Sequence, residues 1–445
     1  MNLFSKLQIS KINYLSVLVA LFPVSFIIGN MAININIILL IISCFFFYKY
    51  QTFKLNYFFI DKIVLIFFLF IVVTGIYNDF KLYINHNEFY TYRGSPLTTI
   101  KSVLFLKYLF FYIVLRFLIE KKDLNINLFL ITCMASTLFV CFDIILQYFY
   151  GKDLFGFEPQ EFGRRFSGPF GNELIAGGYI QRFSILSFFA IILIGAKNSN
   201  KLIKYLLPIF FLIFSFAIIL SGNRMPMLIF LMTIVLLFIF TKKIRIYFIP
   251  SIVLFSLIFF TLFKSNDQIK THFLDFEDKI SKIVVAIINK DFENKDSSQY
   301  QYLEEFLTFY DTWLMNKYMG GGIKNFRFYC HERPNIDLDN EFVCNMHPHN
   351  YYLEIMTETG LVGLAITTTL FLVIIYATLI RKYFLNSNLN NNFLITPFIF
   401  LFIAEIFPIK STGSFYTTGN TTYLFLIIGI MVGLLKKNNL IENKY

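Results

Sequence analysis

The chain has 445 residues, of which 57% are hydrophobic, 20% aromatic and 15% charged, with a formal net charge of +11. A soluble domain carries about a quarter charged residues, so this composition excludes one and points to an all-α polytopic membrane protein. The basic excess does not indicate nucleic-acid binding, because no compact soluble basic domain is available to neutralise a phosphate backbone.

Apolar runs near the ~18–20 residues that cross a bilayer as a helix recur about twelve times. They lie at roughly 12–29, 31–48, 58–77, 100–119, 127–150, 173–195, 202–221, 225–241, 246–263, 351–380, 392–408 and 420–435. The runs divide the chain into an N-terminal bundle of about nine spans (1–263), a long loop with amphipathic helices (264–350) and about three C-terminal spans (351–445). Lys and Arg accumulate in short cytoplasmic loops. With the N-terminus inside and only the short segments counted, nineteen of them fall on its side, Arg116 included, against eight on the other, Arg224 and Lys410 included. Both termini are therefore expected in the cytoplasm and the long loop outside. The first run leads directly into the second without a small-residue cleavage motif, so it is expected to remain in the mature protein.

Between spans three and four, the segment containing His86, Asn87, Glu88 and Arg93 reads as a surface loop. Lys107 lies within the fourth span. An intramembrane Lys faces the bundle interior with a partner; Asp143 and Glu405 are the available acids, and a substrate contact is the other reading. Before the sixth span, Gly163 to Glu173 contains Pro169 and several glycines, a tight-turn composition. Arg164 and Arg165 present planar forks suited to phosphate oxygens, or else solvated charges on a turn. The short reversal Ser221-Gly222-Asn223-Arg224-Met225-Pro226 holds Arg224 near the membrane surface. Pro226 suits the first turn of a helix, and the arginine either reaches for headgroups or serves a ligand.

The long loop carries fourteen acids and ten Lys or Arg. Apolar residues at helical spacing predict an amphipathic helix over about 267–290, and a second helix runs from about Tyr300 to Asn316. Gly320-Gly321-Gly322 ends the second helix and would let backbone amides approach a ligand. Cys330 and Cys344 lie in a compartment that permits disulfides and are expected to be bridged. A metal site of Cys330, His331, Cys344, His347 and His349 is the competing reading, at spacings unlike the common zinc patterns. Asp337-Leu338-Asp339 reads as solvated loop. His347, His349 and Asn350 then stand where this loop meets a hydrophobic span, above Gly360 and Gly363 at i and i+3. About fourteen helical residues at ~1.5 Å each put Gly363 some 20 Å below His349, so the two glycines are expected to serve close helix packing.

His349-Asn350, nine residues, then Gly360-x-x-Gly363 resembles the signature of the O-antigen ligase family of bacterial membrane glycosyltransferases and their polymerase relatives. The loop before the sixth span, the short Arg224 turn, the glycine turn and Phe407 to Phe415 resemble family features in the same order, over about 165–410. Many relatives begin the helix before the glycine turn with an arginine. Here Ser298-Gln299-Tyr300-Gln301-Tyr302 has none, leaving Arg327, Arg164 or Arg165 as the second cation.

The resemblance implies a metal-independent, inverting glycosyltransferase of the bacterial inner membrane, without a cofactor and with a periplasmic active site. Its donor would be an undecaprenyl-diphosphate-linked glycan and its acceptor lipid A-core, or another lipid-linked repeat unit in a polymerase. Imidazole titrates near neutrality, so His349 could accept the proton of the attacking hydroxyl, with Asn350 orienting it. Arg224 would stabilise the diphosphate, and His347, Arg164, Arg165 and Arg327 would contact substrate. A flippase or transporter of lipid-linked glycan is the rival class, but all five histidines fall in segments assigned to the outer side, which favours an external enzyme. The sequence leaves the sugars, the oligomeric state and ligase against polymerase open.

Overall fold

The computed structural model describes residues 3–86, 97–198, 200–265, 301–333, 344, 349–385, 393–410 and 413–437, with isolated positions between 267 and 281. Among these the regular structure is helical, without a strand. The helices are α1 (Leu3–Ala20), α2 (Phe22–Ile28), α3 (Asn30–Tyr48), α4 (Phe59–His86), α5 (Thr98–Phe105), α6 (Lys107–Glu120), α7 (Ile126–Tyr150) and α8 (Ala176–Asn198). They continue with α9 (Asn200–Leu220), α10 (Arg224–Phe240), α11 (Lys242–Ser265), α12 (Gln301–Leu314), α13 (Tyr351–Ile375), α14 (Thr396–Glu405) and α15 (Thr418–Lys437). His347, Asp337-Leu338-Asp339, Asn87, Glu88, Arg93 and most of the 267–290 stripe lie outside the described residues.

Among the described residues, seven helical segments are long and apolar enough to cross a membrane: Asn30–Phe53, Phe59–Ile84, Thr98–Glu120, Ile126–Tyr150, Ala176–Gly195, Tyr351–Tyr383 and Thr418–Lys436. Five shorter apolar helices, Ile12–Ile28, Tyr205–Leu220, Arg224–Phe240, Ile252–Ser265 and Thr396–Glu405, occupy the remaining predicted runs. The chain is thus an all-α polytopic membrane protein, with seven of the expected twelve runs meeting the length criterion for a span.

The centre of the bundle is the α6–α15 pair. Gly429 and Gly433 on α15 lie against Leu115 and Ile119, where an added Cβ would stand 3.1 and 2.9 Å from side-chain atoms; small residues at this spacing let helices approach closely. At one end of the pair Arg116 is fully buried, bonded to Asp61 and donating to the Asn56 carbonyl at 2.6 Å. Tyr112 also donates to Asp61 at 2.5 Å, and Lys436 meets Glu120 at 2.9 Å. Arg116 therefore is not a loop cation. Nineteen less the buried Arg116 and Lys382 is seventeen, and eight less the buried Lys410 is seven, so the charge asymmetry keeps its sign. Lys107 is a second correction: its ammonium donates to the Asn34 side chain at 2.6 Å and lies over the Tyr108 ring. Asp143 instead accepts from the Leu154 amide, and Glu405 binds other cations.

Candidate functional site

The His-Asn stretch is held by helix α13 and by the loop that follows α14. His349 has a left-handed backbone (φ +48°) and directly precedes the helix cap. Asn350 is that cap: its side-chain oxygen accepts from the amides of Tyr352 and Leu353, while its nitrogen donates to the Pro408 carbonyl at 2.8 Å. The Asn350 side-chain amide is therefore engaged in capping α13 and in tying it to the loop after α14. Two tyrosines fix the same junction, Tyr351 donating to Glu405 at 2.5 Å and Tyr352 to the Ile406 carbonyl at 2.6 Å. One turn further, buried Glu354 accepts from the Ser414 hydroxyl and the Phe415 amide.

Helix α13 is broken at Gly360 (φ 67°, ψ −172°), and the glycine turn is spliced into the break. Gly321 and Gly322 donate to the carbonyls of Thr357 and Glu358 at 3.0 and 2.8 Å, while Leu361 and Val362 donate to Lys317 and Tyr318 at 2.9 and 3.3 Å. The Lys324 amide adds a bond to the Glu358 carboxylate at 2.7 Å. An interrupted helix leaves orphan carbonyls and amides on its two sides, and 317–322 satisfies both sets. The amides of Gly321 and Gly322 thus meet α13, not a ligand. Gly360 serves this backbone-on-backbone approach; a Cβ there would lie 2.1 Å from the Tyr318 oxygen. Gly363 packs beside Thr359 and Phe70 of α4. The expected straight helical run from His349 to Gly363 is interrupted at Gly360.

Upstream of this splice, Cys330 and Cys344 are bonded, with Cα atoms 5.8 Å apart, so neither sulfur is a thiolate ligand for a metal. The bridge packs with Phe309 of α12 and Phe326, whose rings stack at 3.7 Å, and thereby ties Cys344 to α12.

The loop before α8 and the short turn before α10 lie together. Asn223 joins them, accepting from the Gly177 amide at 2.9 Å and donating to the Leu174 carbonyl at 2.9 Å. Gly177 has no room for a side chain, since its Cβ would stand 2.5 Å from Ser221 Oγ. Gly222 abuts Arg165, which is paired with Glu161 at 3.0 Å.

These elements surround a cavity of about 580 Å³. His349, Arg165, Asn223, Glu173 and Ser414 contribute to its lining, as do Phe26, Asn30 and Ile33 at the α2–α3 corner. Its lining also contains Gln181, Arg182, Lys410 and Asn420. Arg182 grips Glu405 through two nitrogens at 2.8 and 3.3 Å and reaches Asn420 at 2.6 Å, while Lys410 meets the same Glu405 oxygen at 2.7 Å. Burial pushes the Lys410 ammonium down to about 8, with the Glu405 charge opposing the fall. The arrangement therefore brings an imidazole and three cations to one chamber, which suits proton transfer beside a polyanion.

Of the residues singled out in the sequence, His349 and Arg165 line this chamber. Arg224 opens α10 immediately after Asn223 and is outside the lining, as is Arg164. Arg327 lies on the helical turn Phe326–Tyr329 with its guanidinium over the Phe328 ring, also away from the lining. Sequence reasoning missed Arg182 and Gln181. The available signal was a cation seven residues into an otherwise apolar helix, where ionisable groups mark functional or paired positions. Compared with known protein families, residues 209–368 match the model described as O-antigen ligase. This stretch contains Arg224, the glycine turn and the His349 to Gly363 motif, but neither Arg165 nor Lys410. No curated protein matches the chain.

Proposed function

We propose that this chain, whose residues 209–368 match the O-antigen ligase model, transfers a glycan from undecaprenyl diphosphate to a hydroxyl of lipid A-core. The observation that carries the reading is the sharing of one cavity by His349, Arg165, Arg182 and Lys410. Neutral His349 takes the proton of the acceptor hydroxyl as its oxygen attacks the anomeric carbon. The bond from that carbon to the diphosphate breaks on the opposite face, and undecaprenyl diphosphate departs with the electron pair, inverting the centre. The proton passes from the imidazolium to solvent. Charge-assisted hydrogen bonds from cavity cations stabilise the leaving group as its negative charge develops, the part a metal plays in other transferases. Asn350 and the Glu354-held loop act before chemistry, by fixing where His349 and Lys410 stand.

On this reading the protein sits in the bacterial inner membrane with the cavity facing the periplasm. The same residues would serve a polymerase, in which the acceptor is the end of another lipid-linked repeat. Reconstitution with a lipid-linked oligosaccharide tests the enzyme: labelled glycan should appear on the acceptor, whereas transbilayer movement without transfer would make the protein a transporter. The surface polysaccharide of a deletion strain separates the two acceptors. Ligase loss leaves bare core with lipid-linked polymer accumulating, and polymerase loss leaves core with at most one repeat.

A further inference from the structure

We infer that Asp143 and Asp153 together bind a calcium ion that fastens α7 to the loop following it. The inference does not depend on the glycosyltransferase reading. Asp143 is fully buried on α7, and Asp153, in the loop, is 5% exposed. The Leu154 amide donates to Asp143 Oδ1 at 2.8 Å, which brings Asp153, the preceding residue, beside that carboxylate. Asp153 Oδ1 in turn accepts from the amides of Phe155 and Phe157 at 2.9 and 2.8 Å. The two remaining oxygens, Asp143 Oδ2 and Asp153 Oδ2, are enclosed and have no hydrogen-bond partner among the described residues. Cations of the adjoining segment are engaged elsewhere, Lys152 with Glu158 at 3.2 Å and Arg165 with Glu161 at 3.0 Å.

A buried acceptor without a donor is costly, and a buried carboxylate without a counter-charge is costlier still. Orphaned oxygens of this kind call for a ligand such as an ion. Two carboxylates carry two negative charges, so one divalent cation neutralises the pair. Carboxylate oxygens are hard donors and select Ca²⁺ or Mg²⁺ over softer metals. Mg²⁺ keeps several of its waters, whereas Ca²⁺ takes carboxylate and backbone-carbonyl oxygens in irregular sets. The enclosure of both Oδ2 atoms leaves little space for a water shell, which favours Ca²⁺. The ion would also act on the neighbouring cavity. The Phe157 ring faces Gly171, and the Phe157 carbonyl accepts from Gln147 of α7 at 3.1 Å. Pinning this loop to α7 therefore stiffens the segment that carries Arg165 and Phe170 into the cavity wall.

The test uses the full chain, purified in EDTA and placed in phosphatidylcholine nanodiscs, with Ca²⁺ alone as the probe. Titration calorimetry should find one Ca²⁺ per chain, and Ca²⁺ at about a hundred times its Kd should raise the melting temperature by a few degrees. Asp143→Asn and Asp153→Asn keep an acceptor for the loop amides but remove a charge. Each should weaken Ca²⁺ binding about tenfold or more and abolish the melting shift. Without Ca²⁺ both variants should melt no lower than wild type, because repulsion within the pair is relieved. Exposed Glu158, changed to Gln, should leave binding unaltered. Wild-type protein that melts alike in Ca²⁺ and in EDTA would overturn the site, a result that stands even if a variant fails to fold; melting that instead rises with acid would mean that the two carboxylates share a proton. Binding undiminished in both Asn variants would also overturn it and place the ion on other carboxylates. An equal shift with the same concentration of Mg²⁺ would overturn the choice of calcium.

Discussion

Replacing Gly360 by alanine should uncouple the His349 segment from the glycine turn, and the size of the effect follows from the splice. At φ 67° and ψ −172° the backbone is in a region essentially confined to glycine, worth ~1–3 kcal/mol for another residue. The new Cβ would also lie 2.1 Å from the Tyr318 oxygen, so the segments must separate. That breaks at least the bonds from Leu361 to Lys317 and from Val362 to Tyr318, at ~1 kcal/mol each. The sum, ~3–5 kcal/mol, is a large part of a typical folding free energy of ~5–15 kcal/mol. Gly363→Ala meets Thr359 instead, its Cβ 2.1 Å from Oγ1 and 2.4 Å from the Thr359 Cβ, so it is costly too, but it leaves the bonds between 317–322 and α13 in place. The assay is built in, because Trp313, the single tryptophan, donates its indole N–H to the Lys317 carbonyl at 3.0 Å. Thermal melting of detergent-solubilised protein should show both variants less stable than wild type, with altered Trp313 emission below the melt in Gly360→Ala and not in Gly363→Ala. Wild-type emission in Gly360→Ala, or the same altered emission in Gly363→Ala, would refute the splice and restore simple helix packing.

Three further outcomes are expected. Replacing Cys330 and Cys344 together by Ser should lower the melting temperature or yield while some transfer persists, because the bond secures α12 and stands outside the cavity; mass mapping of native protein with both thiols unmodified would reject it. Activity should fall as pH rises through about 8, where Lys410 loses its charge in the folded protein. Its folded value lies below the ordinary lysine value, so between about 8 and 10.5 the unfolded chain holds the extra proton and this group's contribution to stability rises with pH; Lys410→Arg should remove the alkaline loss of kcat/KM without removing that cation. For topology, a Cys placed at exposed Lys152 should react with an impermeant reagent on intact cells and one at Lys121 should not, and the reverse result would turn the cavity toward the cytoplasm.

The hydropathy runs made the helices legible, since each bundle helix needs an apolar surface whatever its neighbours are. The breaks were not legible in the same way. Gly360 and the Gly320-Gly321-Gly322 turn were both visible, but nothing local says that two glycine stretches some forty residues apart satisfy each other's backbone. Asn350 looked chemical because it follows His349, yet an Asn before a helix is also a favoured cap, and the cap is what Tyr352 and Leu353 find. Arg224 drew notice by its short turn, whereas Arg182 and Glu405 each sit inside apolar runs and acquire meaning only when α8, α14 and Lys410 converge. The same holds for Lys107, whose expected acid is supplanted by the neutral Asn34 side chain.

The most direct measurement is single-turnover glycan transfer by purified His349→Ala, with binding of the lipid-linked donor followed in parallel. Loss of a positioned general base should slow transfer by about 10²–10⁴-fold while the donor still binds, because Arg182 and Lys410 are untouched. Transfer at the wild-type rate by well-folded His349→Ala would contradict the assignment and move the base to another group, with Glu173 on the same cavity the first to replace.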